Sequence, residues 1–214
     1  MSKMEFQESV MSSIEDLFHK NTLISISGKA GTGKTSLSLY LIGKFLTSTR
    51  PYESTCVWVQ ASEPFPKKRL ETLFNKNQKQ LTYLTQNIFI IPSHGPFTTY
   101  QQQLEKLGKF PKENFVLPPG VKFIVIDNIS HHLRFQFSLL SDVEEMSYMV
   151  NTFYETILNP LIFRCQREKV TLIRSTRCLI FSSKIFFLLN TSTSIIKTMK
   201  FIFISIFYLS YQTN

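Results

Sequence analysis

The chain has 214 residues, 43% of them hydrophobic and 18% charged, a balance that excludes a disordered or collagen-like protein and predicts one domain of ordinary size. Its cysteines, Cys56, Cys165 and Cys178, are scattered and odd in number, which excludes a disulfide framework and a zinc ribbon and favours the reducing cytoplasm. The formal net charge of +9 favours an anionic partner, and we expect neither a secretory signal nor a stable membrane span.

Helix-like and strand-like patterns alternate along the chain. In chain order, the first half predicts a helix over residues 1–20, a strand over 23–27, a helix over 35–46, a strand over 56–60, a helix over 67–80 and a strand over 87–91. The second half predicts a helix over 98–107, a strand over 121–127, a helix over 142–163 that breaks at Pro160, and a strand over 169–173. This order predicts an α/β fold with a mostly parallel sheet flanked by helices and joined by right-handed crossovers.

The composition changes after residue 173. Residues 174–214 hold five of the 24 basic residues and no acidic residue, and they also lack Gly, Pro, Ala and Val. We therefore divide the chain into a core over 1–173 and an atypical tail over 174–214. Three interpretations of the tail stay open: a hairpin that completes the sheet, a segment that binds a membrane surface or a partner, and a C-terminus encoded out of frame.

A glycine-rich motif follows the first predicted strand. Residues 28–35, GKAGTGKT, match G-x-x-x-x-G-K-[ST] between a strand and a helix. Glycines let the backbone aim N–H groups at phosphate oxygens, and the following helix adds its positive N-terminal end. We expect Lys34 to reach the β- and γ-phosphates of ATP and the Thr35 hydroxyl to bind Mg²⁺. The predicted nucleotide contacts are Gly28, Lys29, Ala30, Gly31, Thr32, Gly33, Lys34, Thr35 and Ser36.

Two acidic residues follow other predicted strands. Asp127 ends the apolar strand over 121–127, and we predict that it holds Mg²⁺ together with Thr35; the alternative is that it caps the next turn. Glu63 is the only carboxylate near the end of the strand over 56–60, and we predict that it orients the attacking water. The alternative for Glu63 is a solvated loop position. The predicted catalytic residues are thus Lys34 and Glu63.

Three stretches in the right order carry a family pattern. They are GKAGTGKTSLSLYL, then WVQASEPFPKKRL with Phe65, Arg69 and Leu70 at matching positions, and then VIDNISHHLRFQF with Asp127 and Arg134 matching. Together they resemble the RecA-type recombinase core, most of all the short archaeal RadB-type proteins. The resemblance covers residues 10–173 and implies a RecA-like P-loop NTPase fold and slow Mg²⁺-dependent ATP hydrolysis.

The same resemblance implies a biological role. It points to DNA recombination and repair, to binding of single-stranded DNA, and to self-association or a recombinase partner. In the family, the segment after the Asp strand leads into a DNA-contacting loop, so His131, His132 and Arg134 are candidates for phosphate contacts.

The chain departs from the family pattern at two places. Ser62 stands where the catalytic Glu of the family falls, and Glu63 comes one residue later. The last predicted strand is followed by Arg174-Ser175-Thr176, where the family has a polar sensor. Two alternatives therefore stay open: a KaiC-like signalling or regulatory ATPase without a DNA role, and a nucleotide-binding module without hydrolysis.

Overall fold

A computed structural model describes residues 23–48 and 53–177 together with the backbone of Phe201–Ile206. Six strands form one sheet in the order β3-β2-β4-β5-β1-β6, and every neighbouring pair is parallel. The strands are β1 (Leu23–Gly28), β2 (Thr55–Gln60), β3 (Ile88–Ile91), β4 (Val121–Asp127), β5 (Thr171–Arg177) and β6 (Phe201–Ile206). The predicted α/β fold with a parallel sheet is therefore confirmed.

Helices cover both faces of this sheet. They are α1 (Lys34–Leu46), α2 (Lys67–Phe74), α3 (Gln78–Asn87), α4 (Tyr100–Leu107), α5 (His131–Phe137), α6 (Val143–Phe153), a π-helical turn (Tyr154–Leu158) and α7 (Asn159–Arg167). Helices α1 to α3 share one buried apolar cluster with the sheet, and α4 to α7 share a second cluster. Successive side chains of β2 lie on opposite faces of the sheet. Cys56 and Trp58 therefore belong to the first cluster, and Val57 and Val59 belong to the second.

Two helix predictions differ from the structure. The predicted helix over 67–80 is wrong, because α2 ends at Phe74 and α3 starts separately at Gln78. The Asn77 side chain accepts a hydrogen bond from the Gln80 N–H at 3.1 Å, which caps α3 and fixes the break. The helix predicted over 142–163 extends further, to Arg167, and the break expected at Pro160 is instead a π-helical turn that ends just before Asn159.

The end of β5 and the strand β6 fall within the predicted tail. Strand β5 runs four residues past Ile173, to Arg177, and its last residues pair with β1. The backbone of Phe201–Ile206 adds a sixth strand beside β1, as the sheet-completing interpretation of the tail requires. This strand is parallel to β1, so the described pair β1–β6 is not itself a hairpin, which joins antiparallel strands. The predicted helix over 1–20 lies outside the described residues.

No helix in the described part of the chain combines the length and the apolar character that a membrane crossing needs.

Candidate functional site

The loop between β1 and α1 leads directly into the N-terminus of that helix. Gly31 and Gly33 have φ angles of 78° and 88°, in the left-handed region where a side chain is strained. No atom lies within 4 Å of the position that a Cβ would take at either glycine, so the space beside the loop is open. Helix α1 begins without a side-chain cap and without an acidic residue in its first turn, so it presents the positive end of its dipole to the loop.

The predicted phosphate-binding lysine lies against its own loop. The ammonium group of Lys34 donates to the carbonyl oxygens of Gly28 and Lys29 at 3.0 and 2.6 Å, and the residue is 8% exposed. The Thr32 hydroxyl donates to the same Lys29 carbonyl at 2.9 Å. Gly28, Lys29 and Thr32 therefore form bonds within the loop. The other predicted contacts, Ala30, Gly31, Gly33, Lys34, Thr35 and Ser36, line an adjacent cavity.

The structure brings the two predicted magnesium ligands together. The Thr35 hydroxyl donates a hydrogen bond of 2.8 Å to the Asp127 carboxylate, although the two residues are 92 positions apart in the chain. The second carboxylate oxygen of Asp127 accepts a hydrogen bond from the Ser175 hydroxyl. Mg²⁺ takes oxygen ligands and is commonly held by one or two carboxylates together with substrate phosphates. The hydroxyl and carboxylate of this pair therefore fit a magnesium ion that also binds a nucleotide.

The cavity beside the loop has a volume of about 400 Å³. It is lined by the N-terminal end of α1, the loop after β2, the segment after β4 and the last residue of β5. Both Ser62 and Glu63 line it, so the one-residue displacement of the predicted base does not remove Glu63 from the site. Glu63 is exposed to solvent, whereas Asp127 is half-buried. The two carboxylates of the cavity therefore differ in their access to water.

Buried polar contacts fix the loop that carries Glu63. Gln60, the last residue of β2, pairs in register with Asp127, and its side chain accepts a hydrogen bond from the Phe65 N–H at 2.9 Å. Its amide nitrogen donates to the Pro92 carbonyl, and the Ala61 N–H donates to the Asp127 carbonyl at 2.8 Å. Gln60 is 4% exposed, so these bonds have few competitors from water. The loop is therefore attached to the strand that bears Asp127.

Sequence reasoning missed the contribution of β5 to the site. Ser175 is fully buried and bonds to Asp127, and Arg177 lines the cavity. Arg69, noted only for its family match, lines the cavity as well. The sequence does contain a signal for Ser175 and Arg177. Both follow the strand predicted over 169–173, and the carboxyl ends of parallel strands meet at one edge of the sheet.

The basic segment after β4 divides between the site and the core. His131 lines the cavity, but His132 is buried and its Nε2 lies 2.9 Å from the Phe97 carbonyl oxygen. Burial lowers the pKa of His131, the charges of His132, Arg134 and Arg177 lower it further, and Glu63 acts in the opposite direction. Arg134 does not line the cavity, and its Nε has no hydrogen-bond partner among the described residues. His131 alone of the three candidate phosphate contacts therefore borders the cavity.

Comparison with known proteins assigns no family. No protein-family model matches the chain, and no curated protein matches it significantly.

Proposed function

We propose that this protein binds Mg²⁺-ATP at the loop between β1 and α1 and hydrolyses it slowly, as a RecA-like ATPase. One observation carries the proposal: the Thr35 hydroxyl lies 2.8 Å from the Asp127 carboxylate, beside an open glycine loop at the carboxyl edge of a parallel sheet. Ligands in parallel α/β folds bind at this edge, where crossover connections leave toward opposite faces. Nucleotide phosphates are commonly bound by a phosphate loop together with a carboxylate that helps to hold Mg²⁺.

Each side chain has a defined task in the proposed reaction. Lys34 and the positive end of α1 balance the charge of the β- and γ-phosphates. Thr35 and Asp127 hold Mg²⁺, which would neutralise the charge that develops on the phosphate oxygens. Glu63, at the solvent side of the cavity, accepts a proton from the attacking water or orients it.

The RecA-like assignment and the DNA role are the finer part of the proposal. Support comes from the three family-like stretches, which fall on the loop and α1, on β2 with α2, and on β4 with α5. The role in recombination and repair, the single-stranded DNA and the recombinase or self-association partner follow from this resemblance, and the net charge of +9 favours such an anion. We place the protein in the cytoplasm, where Cys56 and Cys165 would stay the free, buried thiols that they are.

Turnover of ATP by the purified chain tests the proposal. We expect phosphate release that depends on Mg²⁺, rises when single-stranded DNA is added, and falls to background in Lys34→Ala. Lys44→Ala is the matched control, because Lys44 lies on the same helix but is exposed and outside the cavity. Turnover that is equal in Lys34→Ala and the wild type would contradict the proposed site, and turnover indifferent to DNA would favour the KaiC-like alternative.

A second candidate function is nucleotide binding without hydrolysis. It is favoured by Ser62 at the position of the family's base and by the exposure of Glu63. It predicts tight Mg²⁺-ATP binding in the same assay with no phosphate release, with or without DNA. Binding with measurable turnover that is lost in Lys34→Ala would exclude this second candidate.

A further inference from the structure

Strand β5 lies between the strand of the phosphate loop and the strand of the metal-binding carboxylate. Its last residue, Arg177, pairs in register with Gly28, the first residue of the loop motif. Earlier in the same strand, Arg174 pairs with Ile126, one residue before Asp127. The end of β5 is therefore next to both halves of the proposed site, and Arg177 lines the cavity that they share.

Hydrogen bonds hold the end of β5 in place. The Ile129 N–H donates to the Ser175 carbonyl at 3.1 Å, and the Arg177 N–H donates to the Ser130 hydroxyl oxygen at 3.1 Å. The Ser175 hydroxyl adds its bond to Asp127. Three contacts thus attach this strand end to the segment after β4, so the backbone at Arg177 is positioned relative to the proposed metal ligand.

The charge of Arg177 is not matched by an acidic partner. Among the described residues, no carboxylate forms an ion pair with its guanidinium group. The charge of Arg177 also affects a neighbouring arginine. Burial lowers the pKa of Arg134, and the positive charge of Arg177 lowers it further. Two more cationic side chains, Lys34 and Arg69, line the same cavity. Together with Arg177 they outnumber the two carboxylates of the cavity, Glu63 and Asp127, by one. An anionic ligand would balance this positive charge.

The position of Arg177 identifies the part of the ligand that it meets. Ser175 of the same strand end bonds to Asp127, and the Arg177 N–H bonds to Ser130, so Arg177 lines the cavity from the strand end that contacts the proposed metal ligand. In nucleotide sites the metal ion bridges the β- and γ-phosphates, so this side of the cavity would face the terminal phosphate. Guanidinium groups bind phosphate oxygens through two parallel N–H bonds, which a lysine cannot reproduce.

We propose that Arg177 binds the terminal phosphate of a nucleoside triphosphate from within the same chain, and that it thereby distinguishes the triphosphate from the diphosphate. The inference rests on the proposed nucleotide-binding function and deepens it. The phosphate contact would come from the end of β5. Arg177 directly follows Arg174-Ser175-Thr176, the segment that departs from the family pattern.

Affinities for two nucleotides test this inference. Isothermal titration calorimetry measures the Kd of Mg²⁺-ADP and of a non-hydrolysable Mg²⁺-ATP analogue for wild type, Arg177→Ala, Arg177→Lys and Lys67→Ala. We expect Arg177→Ala to weaken binding of the ATP analogue by about 10- to 100-fold, the range of one charge-assisted hydrogen-bonded contact, and to leave ADP binding unchanged. Arg177→Lys is expected to recover part of the loss. Lys67→Ala is the charge control, because Lys67 is exposed and outside the cavity.

The outcomes separate this inference from the function on which it rests. Unchanged ADP binding also shows that the variant is folded. Equal weakening for ADP and the ATP analogue, or no weakening of either, would overturn the role of Arg177 while the nucleotide site stands. If Arg177→Ala does not fold, the ratio of the two affinities in Arg177→Lys decides the question, and a ratio equal to that of the wild type overturns the role. Wild-type protein that binds neither nucleotide would overturn both proposals.

Discussion

The Asp127 carboxylate accepts hydrogen bonds from two hydroxyl groups that come from different parts of the chain. Thr35 donates to one of its oxygens from the start of α1, and Ser175 donates to the other from β5. Both donors are neutral, so the carboxylate keeps its negative charge for a cation. The arrangement explains why an Asp at the end of this particular strand carries the proposed metal site.

Glu63 provides a test of the chemical step. In Glu63→Gln we expect turnover to fall by about 100-fold or more, because general-base catalysis contributes roughly 10²- to 10⁴-fold. The affinity for Mg²⁺-ATP should stay the same, since Glu63 is exposed and, among the described residues, forms no hydrogen bond with the glycine-rich loop. Steady-state phosphate release and nucleotide titration measure the two effects.

The matched control for this change is Glu71→Gln. Glu71 lies on α2, outside the cavity, so the same loss of one negative charge should leave turnover within about twofold. A Glu63→Gln variant that keeps a measurable wild-type turnover would show that Glu63 is a solvated loop residue and not the base.

The pairing of α1 with α2 explains a glycine within a helix. Gly43 lies in α1, where glycine costs about 1 kcal/mol relative to alanine. A Cβ at this position would lie 2.0 Å from the ring of Phe74, the last residue of α2. Phe74 is 7% exposed and belongs to the apolar cluster beneath both helices. Glycine is therefore required by the close approach of the two helices and not by the backbone conformation of α1.

Replacement of this glycine has an effect that depends on its neighbour. Gly43→Ala should destabilise the fold by about 1 kcal/mol, because overpacking costs roughly 1–3 kcal/mol and exceeds the gain in helix propensity. In a Phe74→Leu background the same change should stabilise the fold by about 1 kcal/mol, since the ring is no longer present. Urea unfolding of the four proteins measures both values. An equal effect of Gly43→Ala in the two backgrounds would contradict this packing.

Elements with a strong local signal were predictable from the sequence. Strand β4 has the predicted bounds, and α1 begins one residue earlier than predicted, at the lysine of the glycine loop. The error over 67–80 has a local cause, because Asn77 is compatible with a helix interior but caps α3 when its side chain accepts the Gln80 N–H. Composition also misplaced the end of β5, since Arg174 to Arg177 are polar but pair with β1.

At the scale of the whole molecule, the site depends on the order of the strands. Strands β1 and β4 are not neighbours, and β5 lies between them. Local patterns in the sequence predicted Thr35 and Asp127. Thr35 closes the glycine-rich motif that follows β1, and Asp127 is the last residue of the apolar strand β4. The roles of Ser175 and Arg177 depend on which strand fills the centre of the sheet, and no local pattern in the chain specifies this order. The positions of the glycine-rich loop, Asp127 and Glu63 around the cavity were therefore predictable, but the wall that β5 supplies was not.

We propose that this chain holds a nucleoside triphosphate through a magnesium ion at Thr35 and Asp127. Titration of ATP into the wild type and into Asp127→Asn, each with Mg²⁺ and with EDTA, tests this proposal. Glu113→Gln is the control variant, because it loses an exposed carboxylate. We predict that Mg²⁺ tightens binding on the order of tenfold or more, equivalent to about 1.4 kcal/mol, in the wild type and the control but not in folded Asp127→Asn. Absence of ATP binding by the wild type, or the same gain from Mg²⁺ in Asp127→Asn, would contradict the claim.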